Sequence, residues 1–339
     1  MLFSNIIEKK FAEVLGRYEG NPEDYYFSPK DYPDIKCESY DIMGQSRATI
    51  EQPMKDKVLK VFVNKPTKLK GYFYYYGDMD CDKLLVFDHG IGAGHLAYFK
   101  EIEFLASKGY TVYSYDHTGC VDSEGEGITG FAQGINDLDH VLDKLKSDER
   151  FKGKNIRLAG HSWGGYSAMN VAMFHPEVSH VVSLAGFVSA KSLIEQYIPR
   201  MFRRYSVEVM DRERKINPKF ADLDARYSMK ETDAKLFYIQ SKDDSMVRYD
   251  RGYEVLKVAL HDRENTVMIS EDNKNHDPQC TVRAVAANTE RIAKQEKLKK
   301  AKKLETKEQQ DAYRASYDWE ALSELDPKIW NQILEFLEN

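Results

Sequence analysis

Residues 155–166 read NIRLAGHSWGGY and contain the pattern Gly-x-Ser-x-Gly at 160–164. The residues before the pattern, 155–159, are predicted to form a short buried strand, and the small and apolar residues at 166–174 a helix. Between a strand and a helix, this pattern is typical of a strained turn that pushes a serine hydroxyl out of a sheet. A side chain at either glycine would collide with the neighbouring backbone. Because such patterns also occur in ordinary glycine-rich turns, Ser162 is a candidate nucleophile whose partners must lie elsewhere in the chain.

The composition of the 339-residue chain excludes several classes of protein. A hydrophobic fraction of 42% is ample for a packed core, and a formal net charge of -6 argues against a general nucleic-acid binder. The four cysteines are far apart and form no C-x-x-C pair, which favours free thiols in a reducing compartment over disulfides or a zinc site. No signal peptide and no apolar run of about eighteen residues is recognisable. We therefore expect a cytoplasmic protein without an integral membrane segment, a nucleic-acid partner or a metal.

A repeated order of strand, loop and helix indicates the fold class. Buried strands are predicted at 83–87, 110–115, 155–159, 178–184, 235–240 and 266–270. Amphipathic helices lie between several of them, most clearly at 131–149. This alternation predicts an α/β protein with a mostly parallel sheet and helices on both faces, whose ligands bind at the carboxyl ends of the strands. Ahead of it, 58–63 and 69–76 are predicted as an antiparallel hairpin that turns at 64–67.

The interruptions of this order predict the domain organisation. Residues 186–231 have no clear strand and are interpreted as a helical cap inserted over the strand ends, because a separate domain of that length could hardly bury its own core. The predicted division is an N-terminal helix (1–18) and extended arm within 1–56, a core formed by 57–185 and 232–339, and the cap. A highly charged stretch, 282–312, is predicted to form one long helix or a pair.

Two later strand ends carry possible partners for Ser162. A serine hydroxyl needs a base that takes its proton and a carboxylate that orients the base. In a fold of this kind the acid and the histidine follow the serine along the chain. Asp243 and Asp244 come after the strand at 235–240, and His276 comes after the last strand. Each could have a plain structural role, but in this order the three residue types predict a Ser-His-Asp triad.

A tetrahedral intermediate also needs two N–H donors for its oxyanion. Trp163, the residue after the serine, supplies one candidate from the start of a helix. The glycines that follow the strand at 83–87 let the backbone turn inward, so the N–H of Ile91 is the second candidate, with a plain glycine-rich turn as the alternative.

These motifs resemble the α/β-hydrolases of the serine hydrolase branch that includes monoglyceride lipases, lysophospholipases and serine aminopeptidases. The similar segments are HGIGAGH at 89–95, YDHTG at 115–119, SEG at 123–125, GHSWGG at 160–165, DSMV at 244–247, and His276. The resemblance implies the α/β-hydrolase fold with an inserted cap and an oxyanion hole at Ile91 and Trp163. It selects Asp244 over Asp243, because the acid of the family stands three residues before a valine.

The chain also departs from the family pattern. The sequence CVD at 120–122 replaces the usual glycine-containing stretch, and the segments 1–56 and 290–320 have no counterpart. Taken together, we expect a serine hydrolase that cleaves a carboxylic ester of a small-molecule acyl substrate through an acyl-enzyme, with no cofactor. A serine aminopeptidase, an acyltransferase and a non-catalytic binding protein are the alternatives. The sequence leaves acyl-chain length, leaving group and oligomeric state open.

Overall fold

The computed structural model describes residues 14–54 and 57–339, and it describes side chains at 14–47 and 63–339. The strands are β1 (Lys36–Ser39), β2 (Ile42–Met54), β3 (Lys57–Leu69), β4 (Gly71–Tyr75), β5 (Leu84–Asp88), β6 (Thr111–Tyr115), β7 (Ile156–His161), β8 (Val178–Leu184), β9 (Lys235–Ser241) and β10 (Thr266–Glu271). The α-helices are α1 (Phe99–Ser107), α2 (Ala132–Ser147), α3 (Trp163–Val171), α4 (Ala190–Tyr197), α5 (Arg204–Ile216), α6 (Ala225–Ser228), α7 (Tyr253–Ala259), α8 (Val282–Lys300), α9 (Lys307–Ala315), α10 (Trp319–Leu322) and α11 (Pro327–Glu338).

Eight of the strands form one sheet in the order β1-β4-β6-β5-β7-β8-β9-β10. The six strands from β6 to β10 in this order pair in parallel, and β4 and β1 add an antiparallel edge. Because parallel strands end at the same edge, the loops that follow β5, β7, β9 and β10 lie on one side of the molecule. The mostly parallel sheet predicted from the sequence is confirmed.

Helices cover both faces of this sheet. Along β5 the residues alternate between two cores, with Leu84 and Val86 in one and Leu85 and Phe87 in the other. Such alternation is the two-residue period of a strand whose faces are both buried. Helices α2 to α7 all contribute buried residues to the first core, and α1 and α11 contribute to the second.

The predicted hairpin at 58–76 is wrong. Residues 57–69 are one strand, β3, which pairs over its whole length with β2 from Ile42↔Leu69 to Met54↔Lys57. The next strand, β4, belongs to the main sheet. Pro66 is tolerated inside β3 because a two-stranded ribbon leaves each strand an open edge, where the missing N–H breaks no ladder.

The range 1–56 differs from a helix followed by an arm. The helix predicted at 1–18 falls mainly on residues 1–13, which lie outside the described residues. Residues 36–39 and 42–54 are strands. Ahead of these strands, residues 16 and 18 form isolated β-bridges, Gly16↔Gly127 and Tyr18↔Cys120. The guanidinium of Arg17 donates to the carbonyl oxygens of residues 121, 123 and 125 at 2.7–3.0 Å. The N-terminal segment therefore braces the loop at 119–128, which contains the CVD sequence (120–122) that departs from the family pattern.

Two other segments match their predicted secondary structure. Residues 186–231 contain α4, α5 and α6, and no strand is present within that range; their separation from the core as a cap stays a prediction. The charged stretch after residue 282 is a pair of helices, α8 and α9. The buried Arg291 on α8 forms an ion pair with the half-buried Asp24 (2.8 Å), so this part of the chain packs on the N-terminal segment.

Candidate active site

Ser162 stands between the end of β7 and the start of α3 in a strained conformation. Its φ is 55° and its ψ is -108°, a region that residues with a side chain seldom occupy. The turn is fixed on both sides, because the Ser162 amide donates to the Leu184 carbonyl (2.8 Å) and the Ser162 carbonyl accepts from the Tyr166 amide (2.9 Å). This is the geometry of a nucleophile elbow, which leaves the half-buried side chain at the strand edge.

The glycines of the motif have the steric role expected from the sequence. A Cβ at Gly160 would lie 2.4 Å from the backbone of Gly164, and a Cβ at Gly164 would lie 2.0 Å from the carbonyl oxygen of Asp88. Both distances are below any real Cβ contact, and the obstacle is backbone that cannot rotate away. The close packing of β5, β7 and α3 thus depends on glycine at these two positions.

Asp244 and His276 are in direct contact although they lie on different loops. The Nδ1 atom of His276 is 3.0 Å from each carboxylate oxygen of Asp244. Because both carboxylate oxygens are acceptors, Nδ1 carries a hydrogen, and in the neutral imidazole Nε2 is then the nitrogen with the free lone pair. Asp244 is only 6% exposed and also accepts from the amides of Met246 and Val247 (2.9 Å each). The carboxylate is therefore held in one orientation beneath the imidazole.

The neighbouring Asp243 makes different contacts. It is exposed, accepts a hydrogen bond from the Ser241 hydroxyl (2.5 Å), and lies 3.3 Å from the amide nitrogen of Asn275. Asp243 thus contacts the backbone of the residue before His276, whereas Asp244 contacts the His276 imidazole. Of the two adjacent aspartates, the structure brings Asp244 to the histidine.

The two candidate oxyanion donors follow neighbouring strands, Ile91 after β5 and Trp163 after β7. Strands β5 and β7 are paired with Asp88 opposite Gly160, so the loop that contains Ile91 begins beside the Ser162 turn. Trp163 is the first residue of α3, and its N–H therefore has no partner within the helix. Its indole is buried and donates to the Phe131 carbonyl (2.6 Å), which fixes the start of this helix.

A buried charged group lies behind Trp163. The His117 ring centroid is 4.4 Å from that of Trp163, and the imidazole lies between Asp88 (2.6 Å) and Asp137 (3.2 Å). Burial alone would lower the pKa of His117, but these two carboxylates raise it to about 9. His89 has no such partner, and burial lowers its pKa to about 3. The pKa values of these two adjacent buried histidines are therefore shifted in opposite directions.

The turn of Ser162 and the loop of His276 touch through His161. The Nε2 atom of His161 is 2.7 Å from the carbonyl oxygen of His276, and the two rings meet edge to face at 4.8 Å. The Nδ1 atom of His161 is 2.8 Å from the hydroxyl of Tyr98. Tyr98 was not predicted from the sequence, and His161 was noted only as a residue inside the serine turn.

Lys274 is a second residue that the sequence did not single out. It is 2% exposed, and its ammonium contacts Asp326 (2.6 Å) and Glu271 (3.1 Å). Asp326 is the N-cap of α11, so this buried ion pair ties the His276 loop to the C-terminal helix.

Two general features bear on cofactors and membranes. Among the described residues, no group of three or more His, Cys, Asp or Glu side chains is arranged to hold a metal ion. Of the helices in the described part of the chain, none has both the length and the apolar character needed to cross a bilayer.

Comparison with known proteins identifies similar families and folds. The profile of the Hydrolase_4 family, described as serine aminopeptidase, S33, matches residues 80–306. A stretch of 119 residues is 29% identical to the monoglyceride lipase of Saccharomyces cerevisiae, and it spans 34% of this chain and only 37% of that protein. The structure is similar to that of the Pyrococcus furiosus esterase Pf2001, with a TM-score of 0.53 and 20% identity over 84% of this chain and 97% of the esterase. A second crystal form of that esterase gives a TM-score of 0.52. The predicted α/β-hydrolase fold is confirmed.

Proposed function

The chain belongs to the Hydrolase_4 (serine aminopeptidase, S33) family, and from this premise we propose that it is a serine hydrolase that cleaves a carboxylic ester through Ser162, His276 and Asp244. One observation carries the proposal. The imidazole of His276 has its Nδ1 hydrogen directed at the buried carboxylate of Asp244, at 3.0 Å from both oxygens, on a loop that contacts the strained serine turn. A base in the correct tautomer beside a nucleophile elbow is the arrangement that acyl transfer requires.

The reaction proceeds through an acyl-enzyme. The Oγ atom of Ser162 attacks the ester carbonyl while Nε2 of His276 takes its proton. The N–H groups of Ile91 and Trp163 stabilise the oxyanion of the tetrahedral intermediate. The protonated imidazole then gives its proton to the leaving alkoxide, and the ester C–O bond breaks. A water molecule, deprotonated by the same nitrogen, hydrolyses the acyl-enzyme and restores Ser162.

We also propose that residues 186–231 form a cap that contributes to acyl binding. The side-chain amide of Gln196 and the hydroxyl of Tyr197, on α4, both donate to the Met246 carbonyl (2.8 Å each), in the loop that carries Asp244. The side chains of Tyr197 and Met246 remain exposed at this junction. Apolar surface beside the triad suits an acyl chain, and the partial match to a monoglyceride lipase makes an acylglycerol a reasonable substrate to test.

The proposal is tested by replacing the nucleophile. Ser162→Ala is expected to lower kcat for p-nitrophenyl butyrate on the order of a million-fold, because the members of a triad act as one unit. It should also abolish labelling by a fluorophosphonate probe. Ser147→Ala is the matched control, since Ser147 is an exposed serine whose hydroxyl bonds only the Lys144 carbonyl of its own helix. Labelling of the Ser162→Ala protein at the wild-type rate would refute the proposal, and an unlabelled wild-type protein would favour a binding function.

A serine aminopeptidase is the second candidate, and the description of the matched family favours it. The same triad would then attack an amide, and a protonated amine would leave. Acyl esters of increasing chain length, acylglycerols and aminoacyl p-nitroanilides should be compared by kcat/KM. A higher kcat/KM for the anilides than for every ester would replace the esterase with the peptidase.

A further inference from the structure

Three loops of the candidate site are joined by one chain of hydrogen bonds. The amide of Gly90, next to Ile91, donates to the hydroxyl of Tyr98 (3.2 Å). That hydroxyl is 2.8 Å from Nδ1 of His161, whose Nε2 is 2.7 Å from the carbonyl oxygen of His276. This series of hydrogen bonds therefore runs from the loop that contains Ile91, through His161 beside Ser162, to the backbone of His276.

The direction of every bond in this chain is determined by its two ends. The Gly90 amide can only donate, so the Tyr98 oxygen accepts there and uses its own hydrogen toward His161. The His276 carbonyl can only accept, so Nε2 of His161 carries the hydrogen and Nδ1 accepts from Tyr98. A single neutral tautomer of His161 satisfies all three bonds.

Burial keeps both side chains in the required protonation states. His161 is 4% exposed, and its burial, reinforced by the nearby His276, lowers the pKa of the imidazole to about 4 against the opposing effect of Asp277. Burial also raises the pKa of the Tyr98 hydroxyl well above its usual range, so that its hydrogen stays available. Space around the chain is equally restricted, because a Cβ at Gly90 would lie 2.5 Å from the Tyr98 oxygen.

We propose that Tyr98 and His161 are positioning residues that fix the backbone of His276 and the oxyanion loop relative to Ser162. This inference rests on the proposed function, since it assigns a role within that site. Neither side chain exchanges a proton with substrate. Their contribution is to hold His276 where its free nitrogen meets the serine hydroxyl, and a displacement of about 1 Å at such a site can cost on the order of 100-fold in rate.

Conservative variants separate positioning from packing. Tyr98→Phe keeps the ring but removes the hydroxyl, and is expected to lower kcat for p-nitrophenyl butyrate by about 10- to 100-fold with KM within about twofold. His161→Leu removes both bonds and should lower kcat at least as much. His161→Gln can still donate to the His276 carbonyl and accept from Tyr98, so it should recover part of the loss. The double variant Tyr98→Phe/His161→Leu should be no slower than the worse single variant, because both break one chain.

Tyr76→Phe is the matched control. Its hydroxyl also donates to a single partner, Glu103 (2.8 Å), but it lies outside the triad loops, and kcat should stay within about twofold of wild type. Each variant should be accompanied by its thermal unfolding midpoint, so that activity is compared between folded proteins.

Two results would overturn the inference. One is a Tyr98→Phe protein with wild-type kcat, and the other is a double variant whose kcat loss equals the product of the two single losses. Neither result would contradict the proposed function, because that proposal is tested separately by Ser162→Ala. If His161→Leu does not fold, Tyr98→Phe and His161→Gln decide the matter, since each replaces a side chain with one of similar size.

Discussion

At the scale of single residues, Asp243 and Asp244 have different environments although they are adjacent. Asp244 is buried against the His276 imidazole, whereas Asp243 is exposed and contacts the Asn275 amide. The residues alone predicted a carboxylate at this strand end and left the choice between the two open. Only the family pattern selected Asp244. Tyr98 lay beyond prediction, because its role depends on a contact with residue 161 that no local pattern records.

The two aspartates therefore make a matched pair of variants. Asp244→Asn should lower kcat about 10⁴-fold, because the amide can donate to Nδ1 and so favours the wrong tautomer of His276. Asp243→Asn keeps an oxygen acceptor for the Asn275 amide, and its kcat should remain within about tenfold of wild type. The measurement is kcat for p-nitrophenyl butyrate at saturating substrate. Equal losses in the two variants would contradict the assignment of the acid.

At the scale of elements, the ends of β9 and β10 are held by contacts from distant segments. The positions of the main-sheet strands along the chain, and the loops with candidate site residues that follow them, could be predicted, because apolar runs and glycine turns mark them locally. The pairing of β2 with β3 could not be predicted. A proline such as Pro66 suggests a turn unless it is known that the strand has an open edge, where proline is tolerated. The attachment of the His276 loop to α11 depends equally on a long-range contact, that of Lys274 with Asp326.

Breaking the contact of Lys274 should destabilise the protein. Lys274→Met leaves the carboxylates of Glu271 and Asp326 without their buried cation, and we expect a loss of about 3 kcal/mol in the free energy of unfolding, measured with urea. The matched control is Lys242→Met, which removes an exposed pair with Asp272 (2.9 Å) and should change stability far less. A Lys274→Met protein as stable as the control would show that this ion pair does not hold the loop.

At the scale of the whole molecule, buried ionisable groups predict how stability depends on pH. Burial lowers the pKa values of His89, His161 and His180 to about 3 to 4, so their neutral forms favour folding and that contribution is lost as pH falls below about 6.5. Burial raises the pKa values of Glu101 and Glu213 to about 7, so stability is lost as pH rises from about 4.5 to 7. The raised pKa of His117 extends the loss toward pH 9.

These opposing effects place the stability maximum at about pH 6, which thermal unfolding between pH 4 and 9 will test. Glu213→Gln should flatten the decline between about pH 4.5 and 7, because the side chain cannot become charged and its oxygen can still accept from one of the two amides, Phe131 or Ala132, at the start of α2. Glu208→Gln, an exposed change on the same helix, should leave the profile unaltered. A profile in which Glu213→Gln declines as steeply as wild type would exclude Glu213 as a source of the effect.

The bracing of one loop by the N-terminal segment has a consequence for synthesis in the cell. Residues 15–18 bond to 119–128, whereas Asp24 bonds to Arg291, which lies 267 positions further along the chain, so this second contact must wait until α8 has been translated. At ribosomal rates of about 5–20 residues per second, this delay is on the order of 15 to 60 seconds. During that time the carboxylate of Asp24 lacks its partner Arg291, so the docking of α8 on the N-terminal segment is among the last contacts that can form.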